Sequence, residues 1–444
     1  MFFAASRTDM RKGAVALLGL LCLHNVTSAE GSGSSQRRSL SQEEELEPHS
    51  HHHLPADVAC QDGFPDLSRK YWWRYSNHKH PGLTDAFVDI NGSHVVAVFN
   101  VVDDICSQCV GAAWWDSQWS AVYKEDPGVQ YTGSIMWRDP ADNTMMVQFP
   151  LPEGLPKGTA QVVSIVGQRG SEKAHYKGVP FCHLEQDQFF LVGCTEISKD
   201  FKYLAPEWIE YHLKQGYDRI TLYANEDPRE LQALLRPYVE LGEVQIVDWH
   251  FPLPKSKRTF TQQETQENSC MQRYRGRAKW LASHDVDEFA QPMQPGQTVA
   301  GWLRSSGAGA EHIGAFAALT QFFGRAKDER VQEARDSAHD MVLTRFTHRA
   351  VSPEVFHRHK YIARPEHVEY TATHVTTGGM LVVPNSLTEI RFAHYKSPAV
   401  TWRAVKDESL ARTAEQMAIR ASLISKGYEP FVPVPNVIGF RLAK

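Results

Sequence analysis

Asn268-Ser-Cys-Met-Gln-Arg-Tyr-Arg-Gly-Arg-Ala-Lys-Trp-Leu-Ala-Ser-His-Asp-Val-Asp-Glu-Phe-Ala-Gln-Pro292 reads as a basic helix feeding a short apolar strand, Lys279 to Ser283, that ends in three acids. In an extended chain the side chains of Asp285 and Asp287 leave on one face, so a single divalent cation could meet both carboxylates. Two hard oxygen ligands at a strand end suit Mn²⁺ or Mg²⁺, which keep positions open for phosphate oxygens and water. An acidic triplet is more commonly a solvated loop. Here Trp280-Leu281-Ala282 precedes it and Phe289 follows directly, which is not the composition of an exposed loop.

Working upstream, Phe189 to Val192 with Cys194 to Ile197 reads as a strand, and Glu207 to Gly216 as an amphipathic helix closed by glycine. Arg219 to Tyr223 is a second strand, Arg229 to Leu241 a helix, and Val244 to Trp249 a third strand. That alternation predicts an α/β domain with a parallel sheet, whose ligands bind at the carboxyl ends of the strands. Asn225 and the Asp285 group both fall at such ends. Arg273 and Arg277, four residues apart, share a helix face, and one of them could pair with a phosphate. A solvated surface charge is the plainer reading of either.

Between Cys60 and Gly170 the runs are short and alternating. Ala86 to Ile90, the turn Asn91-Gly92 and His94 to Phe99 predict a hairpin. Further strands are expected at Ser134 to Trp137, Met145 to Phe149 and Ala160 to Val166, which together suggest a small all-β sandwich. Trp72, Trp73, Trp114, Trp115 and Trp119 could stack on sugars, but a sandwich core accounts for them better.

The organisation expected is a signal peptide or short anchor (1–29), a polar stem (30–58), a β-rich domain (59–180), an α/β domain (181–400), and a C-terminal helix and tail (401–444). In the first segment Gly13 to Leu23 is apolar, but shorter than the roughly 20 residues a spanning helix needs. Setting Cys22 aside, Cys60, Cys106, Cys109, Cys182, Cys194 and Cys270 make an even set suited to disulfides in an oxidising compartment. Asn91-Gly92-Ser93 is a glycosylation acceptor pattern. The net charge of −5, from 47 basic against 52 acidic residues, argues against a nucleic-acid partner.

In this order, strand one, Glu207-Trp-Ile-Glu-Tyr-His212, Leu222-Tyr-Ala-Asn225 and Cys270-Met-x-Arg-Tyr-x-x-x-Ala-Lys-Trp-Leu-x-x-x-Asp-Val-Asp-Glu-Phe289 resemble glycosyltransferase family 92. Further similar pieces are Gln321 to Gly324, Leu343 to Thr347, Lys360 to Pro365, Val368 to His374, and His394-Tyr395. The resemblance implies a GT-A-type mixed sheet flanked by helices, after an extra β domain. It also implies metal-dependent, inverting transfer of a hexose, usually galactose from UDP-galactose, onto a glycan; the signal or anchor segment and the even cysteine set point to the secretory pathway, in the Golgi lumen or membrane, with secretion as the alternative. On this chain Asp285 and Asp287 would hold Mn²⁺ and the diphosphate, His374 would complete the metal site, and Thr195, Glu196 and Asn225 would line the nucleotide pocket. Thr344 and Ala224 depart from the family pattern, in which Glu and Asp are usual at these places.

Inversion needs a carboxylate beside the acceptor hydroxyl. Asp328 and Glu329, past Phe323-Gly324, are the expected bases; Glu354, Glu366 and Glu369 are the others. Two readings from other classes stand against this: a secreted carbohydrate-binding protein on a degenerate transferase scaffold, and a metal-dependent phosphohydrolase using Asp285, Asp287 and His374. The second would want a richer two-metal cluster than the sequence offers.

Overall fold

Strand β2 (His94–Asn100) shows how the first half of the chain is built, because Val95 to Phe99 are all buried rather than alternating. A strand reads as a continuous apolar run when both faces of its sheet are covered. The computed structural model describes residues 81–101, 114–139, 144–158, 160–182, 189–225, 228–249, 263–307, 311–324, 341–351, 358–395 and 404–411, with a few short pieces elsewhere. The signal or anchor, the stem, Trp72, Trp73, Cys106 and Cys109 lie outside the described residues.

The β region comprises β1 (Gly82–Val88), β2, β3 (Gln118–Tyr123), β4 (Asp126–Thr132), β5 (Ser134–Asp139), β6 (Thr144–Pro150), β7 (Ala160–Arg169) and β8 (Glu172–Cys182). They form two antiparallel four-stranded sheets, β1-β2-β6-β5 and β8-β7-β3-β4. Between them Val95, Ala97, Phe99, Met145, Val147, Val163 and Ile165 make one core with Trp114, Trp115 and Trp119. Those three tryptophans are therefore core residues. Gly92 takes φ +66° at the hairpin tip, the turn that Asn91-Gly92 predicts, and Asn91 is exposed there.

The α/β region begins with β9 (Phe189–Ile197), α1 (Ala205–Lys214) and β10 (Arg219–Ala224). Gly216 closes α1 at φ +86°, and a Cβ there would meet the Ala300 Cβ at 2.7 Å, so glycine is required twice over. The single helix expected over Arg229–Leu241 is two, α2 (Pro228–Leu234) and α3 (Arg236–Glu240). Pro237 has no N–H to give and crowds the carbonyl four residues back, so the helix breaks at Leu235.

Then follow β11 (Val244–Asp248), α4 (Gln263–Tyr274), β12 (Ala278–Ser283), β13 (Glu288–Pro292), α5 (Val299–Ser306), β14 (Ile313–Ala318) and β15 (Thr320–Gly324). The remaining elements are α6 (Val342–Arg345), β16 (His348–Ala350), β17 (Lys360–Ala363), β18 (Tyr370–Ala372), β19 (Val375–Thr377), β20 (Met380–Val382), β21 (Ile390–His394) and β22 (Ala404–Lys406). The main sheet runs β11-β10-β9-β12-β17-β14-β20; its first four strands are parallel, and β17 is antiparallel to both neighbours. A second sheet, β13-β21-β15-β16-β22, stands beside it. This is the mixed sheet flanked by helices expected of a GT-A-type fold, behind an all-β region. The start of the segment expected as a C-terminal helix is instead β22, because Ala404–Lys406 complete the edge of the second sheet against β16.

Helix α4 is buried along nearly its whole length, packed between sheet β1-β2-β6-β5 and the main sheet. Its Thr265 meets Asn100 and Thr144, its Ser269 donates to Asp85, and a disulfide joins its Cys270 to Cys194 of β9. Phe87, Val96, Val98 and Met146 on the outer face of the first sheet pack with Tyr370, and Trp137 stacks on that tyrosine. This covering explains the unbroken apolar run of β2.

Candidate active site

The acids after β12 are not extended. Glu288 N donates to Asp285 O at 2.9 Å, closing a tight turn over Asp285-Val286-Asp287-Glu288. A shared face from two-residue periodicity is therefore not what relates the two aspartates; the turn and its partners are. Lys360 Nζ stands 3.2 Å from Asp285 Oδ2 and 3.3 Å from Glu288 Oε2. His394 Nε2 lies 3.3 Å from Asp287 Oδ2, and its Nδ1 lies 3.4 Å from Glu288 Oε1. Glu288 is thus the hub: one oxygen meets Lys360 and the Asp285 amide, the other His394. Gln263, at the start of α4, donates to Asp285 Oδ1 at 2.7 Å.

The helix motif Glu207-Trp-Ile-Glu-Tyr-His212 holds this turn from below. Trp208 Nε1 donates to Glu288 O and Tyr211 OH to Ala290 O, each at 2.9 Å, while His212 Nδ1 binds Trp208 O. Glu207 accepts the first amides of α6, Val342 N and Leu343 N. His284 is buried against Trp208, His212 and Phe392, and burial followed by Lys360 pushes its pKa down to about 3, so it packs as a neutral ring.

Beside the turn, Cys194 of β9 pairs with Ser283 of β12, and Ile197 with Ala224 of β10, so the carboxyl ends of three parallel strands lie together. Glu196 and Asn225 stand there, with the Asn225 amide donating to Glu196 Oε1. Glu196 Oε2 has no hydrogen-bond partner among the described residues. Burial pushes the Glu196 carboxyl up to about 8; the Asn225 amide opposes this, and Asp285 and Glu264 add to it. Burial likewise lifts Glu288 to about 7 against the pull of Lys360. Crowding opposes the Asp285 anion too, yet Lys360 and His394 hold it below the ordinary range, and its side chain stays 41% exposed.

Of the expected site residues, Asp285, Asp287, Glu196 and Asn225 come to one end of the sheet. Thr195 is on the same strand end but sealed from solvent, so it presents nothing to a ligand. Arg273 and Arg277 are not at the site. Arg273 is buried between Asp85, Phe87 and Tyr223, roughly 15 Å along α4 from Gln263. Arg277 packs over Phe189 and Tyr274 at the opposite end of β12. Glu366 and Glu369 are exposed and act on Arg275, again at the far end of α4. Asp328, Glu329 and Glu354 lie outside the described residues.

His374 Nδ1 is 3.1 Å from the His359 carbonyl. A carbonyl only accepts, so Nδ1 carries the proton and Nε2 keeps its lone pair. Burial, then Lys360, pushes this ring down to about 4, leaving it neutral. Whether Mn²⁺ or Mg²⁺ suits this end of the sheet is decided by donor chemistry. Asp285 and Asp287 offer carboxylate oxygens, one Glu196 carboxyl oxygen is unmet, and the neutral His374 imidazole offers a lone pair; donors of these kinds fit a divalent ion such as Mn²⁺. As the side chains stand, no three acid, histidine or cysteine groups among the described residues are close enough to share one.

The model of glycosyltransferase family 92 matches residues 197–425, more than half of the 444. The chain belongs to glycosyltransferase family 92. A family 92 protein of Ricinus communis is 26% identical over 226 residues, covering 50% of this chain and 35% of that protein. One from Oryza sativa subsp. japonica is 26% identical over 242 residues, 53% of this chain and 38% of that protein. The chain thus spans little more than a third of the length of these two relatives. A galactan beta-1,4-galactosyltransferase of Arabidopsis thaliana is 33% identical over 89 residues, 19% of this chain and 16% of that protein.

Lys360, His394 and Gln263 are the site residues that motif reading passed over, and Glu288, the third acid of the turn, has no role in that reading. The signal for two of them was present: Lys360-Tyr361 and His394-Tyr395 are among the pieces that resemble family 92. What the sequence does not contain is the cross-strand register that aims them. Glu288 faces His394 between β13 and β21, and Ser283, just before the turn, faces Tyr361 between β12 and β17.

Proposed function

We propose that this family 92 chain moves a hexose, galactose from UDP-galactose, onto a hydroxyl of a glycan acceptor with inversion. The observation that carries the reading is the meeting of Glu196, Asn225 and the Asp285–Glu288 turn at adjacent carboxyl ends of parallel strands, where such sheets bind nucleotides. In this reading Glu196 Oε2 hydrogen-bonds the nucleotide, and Asn225 fixes the Glu196 carboxyl for it. Asp285, Asp287 and His374 would hold Mn²⁺ or Mg²⁺, which when bound neutralises charge on the departing diphosphate. A carboxylate, Asp328 or Glu329, takes the acceptor proton as that oxygen forms its bond to the anomeric carbon and UDP leaves from the opposite face.

Galactose is supported by the resemblance and by the name of the Arabidopsis relative. A secretory-pathway lumen is supported by the Cys194–Cys270 disulfide. No helix among the described residues is long and apolar enough to cross a membrane. The test is UDP release from a panel of UDP-sugars, with glycan acceptors, in Mn²⁺ or in EDTA. Expected are turnover with UDP-galactose, loss in EDTA, and loss in Asp287→Ala at unchanged folding. No turnover with any UDP-sugar, together with no rise in melting temperature on adding UDP and Mn²⁺, overturns the proposal.

A further inference from the structure

Lys360 is the one buried lysine among the described residues, with no solvent exposure at all. A lysine is almost never sealed this way unless paired. Its ammonium is shared between Asp285 and Glu288, and Glu267 lies near enough to hold its proton further. The placement is rigid. Lys360 opens β17, which is hydrogen-bonded to β12 on one side and β14 on the other, so the backbone itself delivers the ammonium to the turn. The contact with Asp285 is made through Oδ2, while Gln263 occupies Oδ1. Any second cation reaching for Asp285 must therefore share an oxygen that already has a donor.

We infer that Lys360 is a resident counter-ion of the acidic turn, which holds Asp285 when the donor site is empty and with which a divalent cation must compete for that carboxylate. This rests on the reading of Asp285 and Asp287 as metal ligands. It goes beyond it in making one lysine the determinant of how tightly the ion is held. Two cations beside one carboxylate repel, so the affinity for the ion is lower than its ligands alone would give. Without the lysine, Asp285 and Glu288 would face each other unscreened, and the empty turn would be destabilised.

The experiment compares wild type with Lys360→Met in two measurements made without nucleotide: Mn²⁺ binding, from the free-ion electron paramagnetic resonance signal, and melting temperature with and without Mn²⁺. The variant is expected to bind Mn²⁺ at least about tenfold more tightly. It should melt lower without the ion and gain more from its addition than wild type does. Glu288→Gln is the partner variant: it leaves the ammonium to Asp285 alone, so Mn²⁺ affinity should fall. If Lys360→Met does not fold, Lys360→Met/Glu288→Gln takes its place and should bind Mn²⁺ more tightly than Glu288→Gln alone, whose loss of affinity a missing carboxylate would also produce. If wild type binds Mn²⁺ while Lys360→Met binds no tighter, or Glu288→Gln no weaker, this inference fails and the metal reading stands. If none of the three proteins binds Mn²⁺, both fail.

Discussion

Asp85 of the β sandwich and Arg273 of α4 form an ion pair, Oδ2 to Nη2 at 3.4 Å, in a seam where the arginine side chain has no exposure. Ser269 donates to the same carboxylate at 2.5 Å, and the guanidinium lies over the rings of Phe87 and Tyr223. Removing the acid leaves a desolvated cation without its counter-charge, which costs about 3–5 kcal/mol. Asp85→Ala is accordingly expected to lower stability in urea by that order. Protein that remains folded should bind UDP as wild type does. An Arg273→Lys variant that lost UDP binding at unchanged stability would return Arg273 to the phosphate role its spacing suggested.

A second prediction concerns the sandwich core. Gly167 of β7 faces Trp119 of β3 across the strands, and a Cβ at Gly167 would sit 2.8 Å from the indole. The ring cannot give way, since Phe99, Trp114 and Tyr176 are packed around it. Gly167→Ala should cost about 1–3 kcal/mol through overpacking, read as a lower denaturation midpoint with an unchanged slope. A midpoint equal to wild type would mean that the indole has room the packing denies it.

These two cases mark what the sequence discloses. Asn91-Gly92 announces its hairpin because local turn chemistry alone decides it, and the strand–helix alternation from Phe189 announces a parallel sheet because each period is self-contained. Arg273 misleads for the opposite reason. Its helix face is set by α4, but what that face meets is a sandwich strand 188 residues earlier in the chain. The acidic turn is legible as a site and illegible as a shape: Asp285-Val286-Asp287 fits an extended run equally well until Trp208 and Tyr211 bind the carbonyls that follow it.

His374 offers a sharper test of the donor site. Its Nδ1 is committed to the His359 carbonyl and its ring is neutral, so Nε2 is ready to act as a ligand without first losing a proton. His374→Gln is expected to weaken Mn²⁺ binding at least about tenfold. Stability without the ion should change by less than about 1 kcal/mol, because the ring is partly exposed and outside the core. Isothermal titration with Mn²⁺ beside a urea melt separates the two effects. Equal affinity in the variant would exclude His374 from the metal site.

The last prediction is a pH dependence, and it falls away from the site. Asp407 Oδ2 accepts from Arg391 Nη2 at 2.8 Å and Arg349 Nε at 2.9 Å, and its Oδ1 accepts from Ser409. Partial burial works against the anion, but Ser409 and Arg391 outweigh it and hold the carboxyl down at about 2. A depressed acid stabilises the fold wherever the unfolded chain would also ionise it, and that contribution disappears as pH falls through the folded value. The contribution is therefore complete above about pH 4, is lost between about pH 4 and 2, and amounts to roughly 2 kcal/mol. It ties β21 and β16, which carry the two arginines, to the loop after β22. Asp407→Asn should lower the urea midpoint at pH 7 and flatten the acid limb of stability against pH below 4. An acid limb as steep in the variant as in wild type would show that other carboxylates, and not this one, govern the acid unfolding of the second sheet.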